Sequence, residues 1–252
     1  MSENHKDSFF ELKFDEEIAI IKIKGRVFEM ITDIEHSYEL IHFIDSLDRN
    51  RSAKALRFYN EPGCLDNKSY ESFLSGIMDL NEINDDLSTP CFSEKNARFR
   101  EINVLNSLIK KMIELQILVV AGMQDTVVTP FVGASLSADL RFAAKGTVLS
   151  MIHNKYGLHP SGGLPFFLAC LTGHSKAIEL QMRNEISADE ALSEGMIQAV
   201  LPGKDFEQEL IREVRKYTKL NHCTIRNTKR LTSYNRKTLY RYFEFEAGLL
   251  NL

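Results

Sequence analysis

Residues 185–195 read Glu-Ile-Ser-Ala-Asp-Glu-Ala-Leu-Ser-Glu-Gly and predict a short helix whose two ends are both specified. Ser187 is suited to accept a hydrogen bond from the first turn, and Glu190, three residues on, is suited to return one to the Ser187 amide. Gly195 supplies the left-handed residue on which many helices end. Residues 198–201 then predict a strand. The stretch therefore predicts a capped helix followed directly by a strand.

Upstream of this stretch the sequence alternates strand and helix patterns. Residues 9–14 and 18–24 are rich in β-branched and aromatic side chains and flank an acidic turn, so they predict a hairpin. Apolar residues at helical spacing between Ile34 and Leu47 predict a helix, and residues 55–59 predict a strand. The strongest pattern is an amphipathic helix over residues 102–115 that runs into the buried strand 117–121.

Two further segments complete the predicted organisation. Residues 60–96 are mostly polar and are interrupted by proline and glycine, which is typical of a segment that covers a ligand. Everything beyond Pro202 predicts helix. We therefore expect an α/β protein with a core over residues 1–200 and a helical region over residues 201–252.

Composition excludes several classes of function. The chain of 252 residues has 31 Lys and Arg against 35 Asp and Glu, so no net positive field attracts nucleic acid or anionic lipid. Its four cysteines form no C-x-x-C pair, which argues against a zinc site and a disulfide framework. The first residues show no basic-then-apolar leader, and no apolar run approaches the roughly 20 residues of a membrane span. We expect a cytoplasmic protein with no metal, no nucleic-acid partner and no membrane partner.

Three segments together resemble the crotonase superfamily, the enoyl-CoA hydratase and isomerase group. Residues 186–197, followed by Val-Leu-Pro at 200–202, are similar to that family's I-S-A-x-E-A-L-x-x-G-L-V and V-V-P. Residues 138–144 are similar to its C-D-I-R-I-A, and residues 155–160 to its K-L-G-L-x-P. The resemblance extends from about residue 105 to residue 202.

The resemblance implies a spiral of ββα turns whose C-terminal helices mediate trimer formation. It also implies an acyl thioester of coenzyme A, or of an acyl carrier, as the substrate. Two backbone N–H groups would hold the thioester oxygen as it becomes an enolate. No cofactor is implied beyond the coenzyme A of the substrate itself.

Carried over residue by residue, the resemblance gives a divergent site. Counting back from Asp139, one oxyanion donor of the family falls on Pro130, which has no N–H, and the first catalytic glutamate falls on Gly133. The second glutamate falls on His153. We predict His153 as the catalytic residue, because a histidine can transfer a proton near neutral pH. The alternative is that the residue is merely tolerated at a strand end.

The other predicted site residues surround these three. The second oxyanion donor falls on Cys64 or Leu65, and Cys64 is either a nucleophile or an inert thiol. The Gly162-Gly163 pair could hold an anion on its N–H groups, whereas the adjacent turn with His159 needs no function to exist. The residues that we predict to contact the substrate are Asp66, Phe131, Gly133, Gly162 and Gly163.

Basic residues concentrate near the C-terminus. Between Lys204 and Arg241 there are eleven basic and four acidic residues. We predict that Lys229 and Arg230 hold the phosphates of coenzyme A; the alternative is a solvated helix face. The stripe Leu239, Phe243, Ala247 and Leu250 predicts a homotrimer or hexamer, because a monomer would leave it uncovered.

Two functions remain open at this point. The first is an acyl-thioester-binding enzyme that is not a hydratase, and instead acts as a lyase, isomerase or thioesterase through enolate stabilisation. The second is a pseudoenzyme, retained as a binding or assembly subunit. The loss of both glutamates leaves the question of enzymatic activity undecided.

Overall fold

The computed structural model describes residues 5–50, 52–78, 92–234 and 238–249. The strands are β1 His5–Lys6, β2 Phe10–Asp15, β3 Ile18–Ile23, β4 Ala55–Asn60, β5 Leu118–Met123, β6 Thr126–Val128, β7 Leu140–Ala144, β8 Val148–Ser150, β9 Glu185–Ser187 and β10 Ala199–Leu201. The helices are α1 Val27–Met30, α2 Ile34–Leu47, α3 Asn67–Ile77, α4 Lys95–Glu114, α5 Thr129–Leu136, α6 Leu164–Thr172, α7 His174–Gln181, α8 Ala188–Ser193, α9 Phe206–Thr218, α10 His222–Thr232 and α11 Thr238–Gly248. A 3-10 helix spans Ile152–Tyr156.

The described strands form two sheets. The larger sheet has the order β1-β2-β3-β4-β5-β7-β10, and the smaller one has the order β6-β8-β9. From β3 onward, neighbouring strands of the larger sheet are parallel, whereas β1, β2 and β3 are joined antiparallel. Parallel neighbours require crossover connections, and helices α2 and α4 lie on two of them. This is the expected α/β arrangement of ββα turns.

The larger sheet separates two apolar clusters. Alternate residues of β3 point to opposite faces, so Ala19 and Ile21 join the main core, whereas Ile18 and Ile20 pack beneath α9. Helix α9 supplies Phe206, Leu210 and Val214 to this second cluster. Both faces of the sheet are therefore covered, which explains why all six residues of β4 are buried.

The structure confirms most of the predicted elements. The hairpin, the helix over residues 34–47 and the helix-to-strand run at residues 102–121 are all present, although α4 begins earlier, at Lys95. The capping box on α8 is complete, since Ser187 and Glu190 exchange hydrogen bonds. The predicted ligand-covering segment contains α3, and its residues 79–91 lie outside the described residues.

The structure corrects the argument for a trimer that was based on the stripe of α11. Leu239 and Phe243 are buried in their own chain, where α11 packs against α4. Lys110 of α4 lies 5.4 Å from the centre of the Phe243 ring. Leu250 lies outside the described residues. Leu239 and Phe243 are therefore covered without a partner, and these two residues give no argument for a trimer.

Among the described helices, none combines the length and the apolar character that crossing a membrane requires.

Candidate functional site

The first turn of α5 carries Pro130, the residue at the position of one oxyanion donor. Val128 caps the helix, so Pro130 occupies its second position, where a helix needs no N–H. Proline is stable here for that reason. The same missing hydrogen means that Pro130 cannot donate to a thioester oxygen, so this half of the predicted oxyanion hole is absent.

Gly133, one turn further along α5, packs directly on the backbone of the turn before α6. A Cβ built on Gly133 would overlap the carbonyl oxygen of Gly162 and would lie 2.8 Å from the Leu164 nitrogen. A Cβ on Gly162 would overlap the carbonyl oxygen of Pro130 in return. Backbone therefore closes the space that a side chain at position 133 would need, so a glutamate has no room there, and the contact of Gly133 with substrate stays a prediction.

The Gly162-Gly163 turn presents N–H groups that point at a carboxyl group, as an anion site requires. Both residues have φ of +69°, a conformation that favours glycine. The carboxyl is that of Glu246 on α11, whose Oε1 accepts from the Gly162 nitrogen and whose Oε2 accepts from the Gly163 nitrogen, each at 3.1 Å. The prediction that these two glycines bind substrate is therefore corrected: their N–H groups are occupied by the chain itself.

Glu246 is 1% exposed and lies in a polar environment formed by helices from distant parts of the chain. Asn106 of α4 reaches its Oε1 at 3.5 Å. Burial raises the pKa of Glu246, against the opposing hydrogen bonds from Tyr242, Gly163, Asn106 and Gly162. This carboxyl group therefore joins α11, α4 and the turn before α6.

The loop after β4 contains the other predicted oxyanion residues, Cys64 and Leu65. The Leu65 carbonyl accepts a hydrogen bond from the Val128 nitrogen at 3.0 Å, which brings this loop beside the start of α5, as predicted. The Cys64 amide donates to the Glu61 carbonyl at 3.4 Å. Within the part of the chain that the structure describes, no group accepts from the Leu65 amide, so Leu65 is the better candidate donor of the two.

Cys64 and Asp66 both make contacts within the fold. Burial raises the pKa of the Cys64 thiol to about 12, and Sγ lies 3.7 Å from the Ile23 carbonyl oxygen. A thiol of this kind is not ionised at neutral pH, so the nucleophile interpretation is wrong. Asp66 caps α3, where its Oδ1 accepts from the Ser69 nitrogen at 2.7 Å.

His153 lies in the 3-10 helix and is buried beside the start of α5. Its Nδ1 lies 2.7 Å from Thr129 Oγ1, and Thr129 Oγ1 lies 3.0 Å from the Ser150 carbonyl oxygen. The single hydroxyl hydrogen goes to Ser150, because a carbonyl can only accept. Nδ1 of His153 therefore carries the ring hydrogen and donates to Thr129, which leaves a lone pair on Nε2.

The electrostatics of His153 determine what it can do. Burial, followed by the nearby His159 and Arg98, lowers the pKa of His153 to about 4. The ring is neutral at physiological pH, so it can accept a proton or a hydrogen bond at Nε2. The predicted catalytic role of His153 stays a prediction, and the neutral ring favours a role as an acceptor.

Phe131 belongs to the interior rather than to an open pocket. Its ring packs edge-on against Phe28, with the ring centres 5.6 Å apart. It lines an apolar cavity of about 40 Å³ between α5, α4 and the first strands. A cavity of this size leaves room for a small apolar group, so Phe131 can contact only an apolar part of a ligand.

A buried polar cluster between α3 and α4 was missed at the sequence level. Arg98 and Glu101, which are 1% and 0% exposed, form an ion pair, and Arg98 Nη1 also donates to the Tyr70 hydroxyl at 3.0 Å. Burial works to lower the pKa of Arg98, but Glu101 and Tyr70 outweigh it and the pKa is raised. Burial and the charge of Arg98 lower the pKa of His159 to about 4.

An open depression lies beside the Gly63–Asp66 loop. It has a volume of about 540 Å³ and is bordered by polar side chains and by the rings of Phe28 and Phe73, which are stacked with their centres 5.8 Å apart. Lys68 is exposed at its rim, whereas the Arg26 guanidinium is paired with Glu29. The depression is lined by two basic side chains, Arg26 and Lys68, and by two acidic ones, Glu29 and Asp66.

The structure corrects the prediction that Lys229 holds a phosphate of coenzyme A. Its ammonium is buried, lies 2.7 Å from Asp139 Oδ2 and donates to the Ile117 carbonyl at 3.0 Å. A lysine held in this way joins α10 to the sheet and does not reach a ligand phosphate. Arg230 is exposed on the same helix and remains a prediction.

Comparisons with known proteins agree with this fold. The family model for enoyl-CoA hydratase/isomerase matches residues 70–251. Enoyl-CoA hydratase from Bacillus halodurans superposes with a TM-score of 0.75 at 19% identity, covering 96% of this chain and 94% of that one. DspI from Pseudomonas aeruginosa gives 0.74 at 17% identity, with 98% of each chain covered.

A HypX variant from Aquifex aeolicus gives a TM-score of 0.74 at 22% identity, covering 98% of this chain and 41% of that one. These identities show a shared fold. No curated protein matches the sequence. The family model covers well over half of the chain, and the protein therefore belongs to the enoyl-CoA hydratase/isomerase family, with the crotonase fold.

Proposed function

We propose that the protein binds an acyl thioester of coenzyme A, or of an acyl carrier, and does not hydrate enoyl thioesters. The absence of hydratase activity is inferred from the backbone contact between Gly133 and Gly162, which leaves no space for a carboxylate side chain. Hydration needs two positioned acid-base groups and a stabilised enolate oxygen. Here one of the two positions is closed and the other holds a neutral histidine.

Thioester binding is supported by family membership and by the depression beside the Gly63–Asp66 loop. The half-buried Phe73 ring at its border could contact a flat base, and the exposed Lys68 at its rim could receive phosphate. The Leu65 amide, which is near the start of α5, would donate to the thioester oxygen. Coenzyme A arrives as part of the substrate and no other cofactor is proposed.

If the bound thioester reacts, the reaction is one that uses a single proton-transfer group. Nε2 of His153 accepts a proton from the substrate and returns it to carbon, as an isomerisation requires. Decarboxylation, the lyase alternative, releases carbon dioxide and leaves an enolate that takes up one proton. In the thioesterase alternative, water attacks the thioester carbonyl, the same donor holds the tetrahedral oxyanion, and the thiol leaves with a proton. His153 is the residue that we propose for this step.

A second candidate is a pseudoenzyme that binds or assembles without catalysis. The specific observation in its favour is Glu246, whose carboxyl occupies the N–H groups of Gly162 and Gly163. A chain that satisfies these donors internally has no need of a substrate there.

Isothermal titration calorimetry with coenzyme A, acetyl, butyryl and crotonyl thioesters tests the proposal. We expect saturable binding that weakens in Lys68→Glu, and a loss that becomes smaller as added salt screens the attraction. Lys219→Glu, which changes an exposed lysine at the end of α9, is the matched control. Absence of binding by every thioester would contradict the proposal. Binding without any product, followed by chromatography, would favour the pseudoenzyme.

We also propose a homotrimer or a hexamer, as the sequence resemblance implies, and a cytoplasmic location, as the cysteine pattern suggests. With Leu239 and Phe243 buried, the support for an assembly is the exposed apolar side chains in and beside α10, namely Leu220, Leu231 and Tyr234. Multi-angle light scattering of the purified chain tests the assembly, and a monomer at micromolar concentration would contradict it.

A further inference from the structure

One edge of the Arg98 guanidinium is buried and unused. Nη1 is occupied by Glu101 and Tyr70, whereas Nε and Nη2 have no hydrogen-bond partner among the described residues. These two nitrogens lie on the same side of the planar group, and their N–H bonds run parallel. That geometry matches the two oxygens of a carboxylate. Arg98 therefore presents an unoccupied two-donor edge inside the protein.

Unused donors in an interior are costly. Each buried donor without a partner destabilises a protein by about 1 to 3 kcal/mol, and more when it is charged. Among the described residues, Oε1 of Glu101 and Nε2 of His159 in the same cluster also have no partner. Ligand oxygens would accept from the two Arg98 nitrogens, whereas Glu101 Oε1 is itself an acceptor and needs a donor.

The unused edge lies close to the candidate site. Leu105 is seven residues beyond Arg98 on α4, so the two share one face of the helix, about 10 Å apart. The Leu105 side chain reaches within 3.1 Å of the Cβ position of Gly162, at the α5 contact. The charge of Arg98 also acts on His153 and His159. An acyl chain that starts beside Leu65 and His153 could therefore extend to Arg98.

We propose that Arg98 binds the terminal carboxylate of a dicarboxylic acyl group, so that the substrate is a carboxyacyl thioester rather than a plain alkyl one. This inference rests on the proposed thioester binding. Glu101 makes room for the second negative charge, because burial raises its pKa against the opposing effect of Arg98. Its carboxyl is therefore more easily protonated than an exposed one when a second carboxylate arrives.

Calorimetry with pairs of thioesters of equal chain length tests the inference. Malonyl, succinyl and glutaryl coenzyme A are compared with propionyl, butyryl and valeryl coenzyme A. We expect at least one carboxyacyl thioester to bind about tenfold or more tightly than its alkyl partner, as a charge-assisted bidentate contact would give. In Arg98→Met combined with Glu101→Gln, the ratio of the carboxyacyl affinity to the alkyl affinity should fall to about one.

The double variant removes both charges together, so that no unpaired charge is left buried. Arg212→Met with Glu209→Gln, an exposed pair at the same helical spacing, is the matched control and should keep the preference. If the double variant does not fold, Arg98→Lys retains the charge without the two-donor edge and should reduce the preference. Equal binding of both thioester classes by the wild type, or a preference that persists in the variants, would overturn this inference while leaving the proposed function standing. Failure of every thioester to bind would overturn both.

Discussion

The contact between α5 and the Gly162-Gly163 turn differs from the Arg98 cluster in how each uses its hydrogen-bond donors. At the turn, two buried N–H groups are satisfied by Glu246 of the same chain, and Gly133 is closed by backbone. In the cluster, two nitrogens of a buried guanidinium have no partner among the described residues. The turn therefore satisfies its two N–H groups within the chain, although Asn106 Oδ1 beside Glu246 lacks a partner, whereas the guanidinium leaves two donors unused.

This difference teaches where to look for function in a divergent member of a family. The positions that the resemblance assigns to the catalytic glutamates hold Gly133 and a neutral His153. The Arg98 cluster, with its unsatisfied polar atoms, lies where the sequence resemblance assigned no function. Four changes to the chain test that comparison.

The largest expected effect on stability comes from placing a glutamate at position 133, which backbone closes. Gly133→Glu should destabilise the protein by about 4 kcal/mol or more, because the side chain overlaps the Gly162 backbone and brings an unpaired charge into the interior. Chemical denaturation measures the change. Gly76→Ala, on an exposed face of α3 with open space around it, is the control and should be neutral or slightly stabilising. A stable Gly133→Glu protein would show that the contact is not closed.

The next largest effect on stability comes from the buried carboxyl of Glu246. Glu246→Ala leaves the N–H groups of Gly162 and Gly163 buried without an acceptor, and we expect a loss of about 3 kcal/mol in the free energy of unfolding. Glu244→Ala, which changes an exposed residue of the same helix, should stay within about 0.5 kcal/mol of the wild type. Equal effects of the two substitutions in urea denaturation would mean that Glu246 does not satisfy the turn.

A pH effect follows from His153. Its pKa is about 4 in the folded protein and 6.5 as the ordinary value. Between these values the unfolded chain binds a proton that the folded chain does not, so stability falls as the pH falls. Between about pH 6.5 and pH 4 we expect the wild type to lose roughly 2 kcal/mol more than His153→Gln. Parallel stability curves for the two proteins would contradict a buried neutral histidine.

The smallest effect tests the corrected phosphate site. Lys229→Met removes the partner of Asp139 and should cost about 1 to 2 kcal/mol, less than a fully buried pair would, because Asp139 remains partly exposed. The affinity for coenzyme A should not change. Arg230→Met, which alters an exposed neighbour on α10, is the control for stability. Weaker binding of coenzyme A by Lys229→Met would contradict this correction and show that Lys229 contributes to ligand binding.

The fold was predictable because its signals are local. The capping box of α8 joins residues three apart in the sequence, and the apolar runs of β4 and β5 indicate buried parallel strands without further information. The pairing of the Gly63–Asp66 loop with the start of α5 was also predicted, through the family resemblance. Sequence patterns of this kind specify which segments are buried and in which order.

The site was predictable only in part, because its decisive contacts join distant residues. The free N–H groups of Gly162 and Gly163 were anticipated, but their acceptor lies 84 and 83 residues further along the chain. A signal existed, since Glu246 follows Leu239 and Phe243 by seven and three residues and so lies on the buried stripe. Arg98 and Glu101 likewise share the apolar face of α4 with Leu105. A charged residue on an otherwise apolar helix face is the sequence pattern that predicts such a buried polar contact.

Hydration of a crotonyl thioester tests the central claim most directly. The reaction removes the ultraviolet absorbance of the conjugated thioester, so purified protein and substrate suffice. Each missing proton-transfer group costs about 10²- to 10⁴-fold and a missing oxyanion donor about 10²- to 10³-fold. We predict turnover several orders of magnitude below that of an enzyme with both glutamates, even when calorimetry shows that the same thioester binds. Rapid loss of absorbance would contradict the account, because it would require an acid-base pair at a position that the structure shows to be closed.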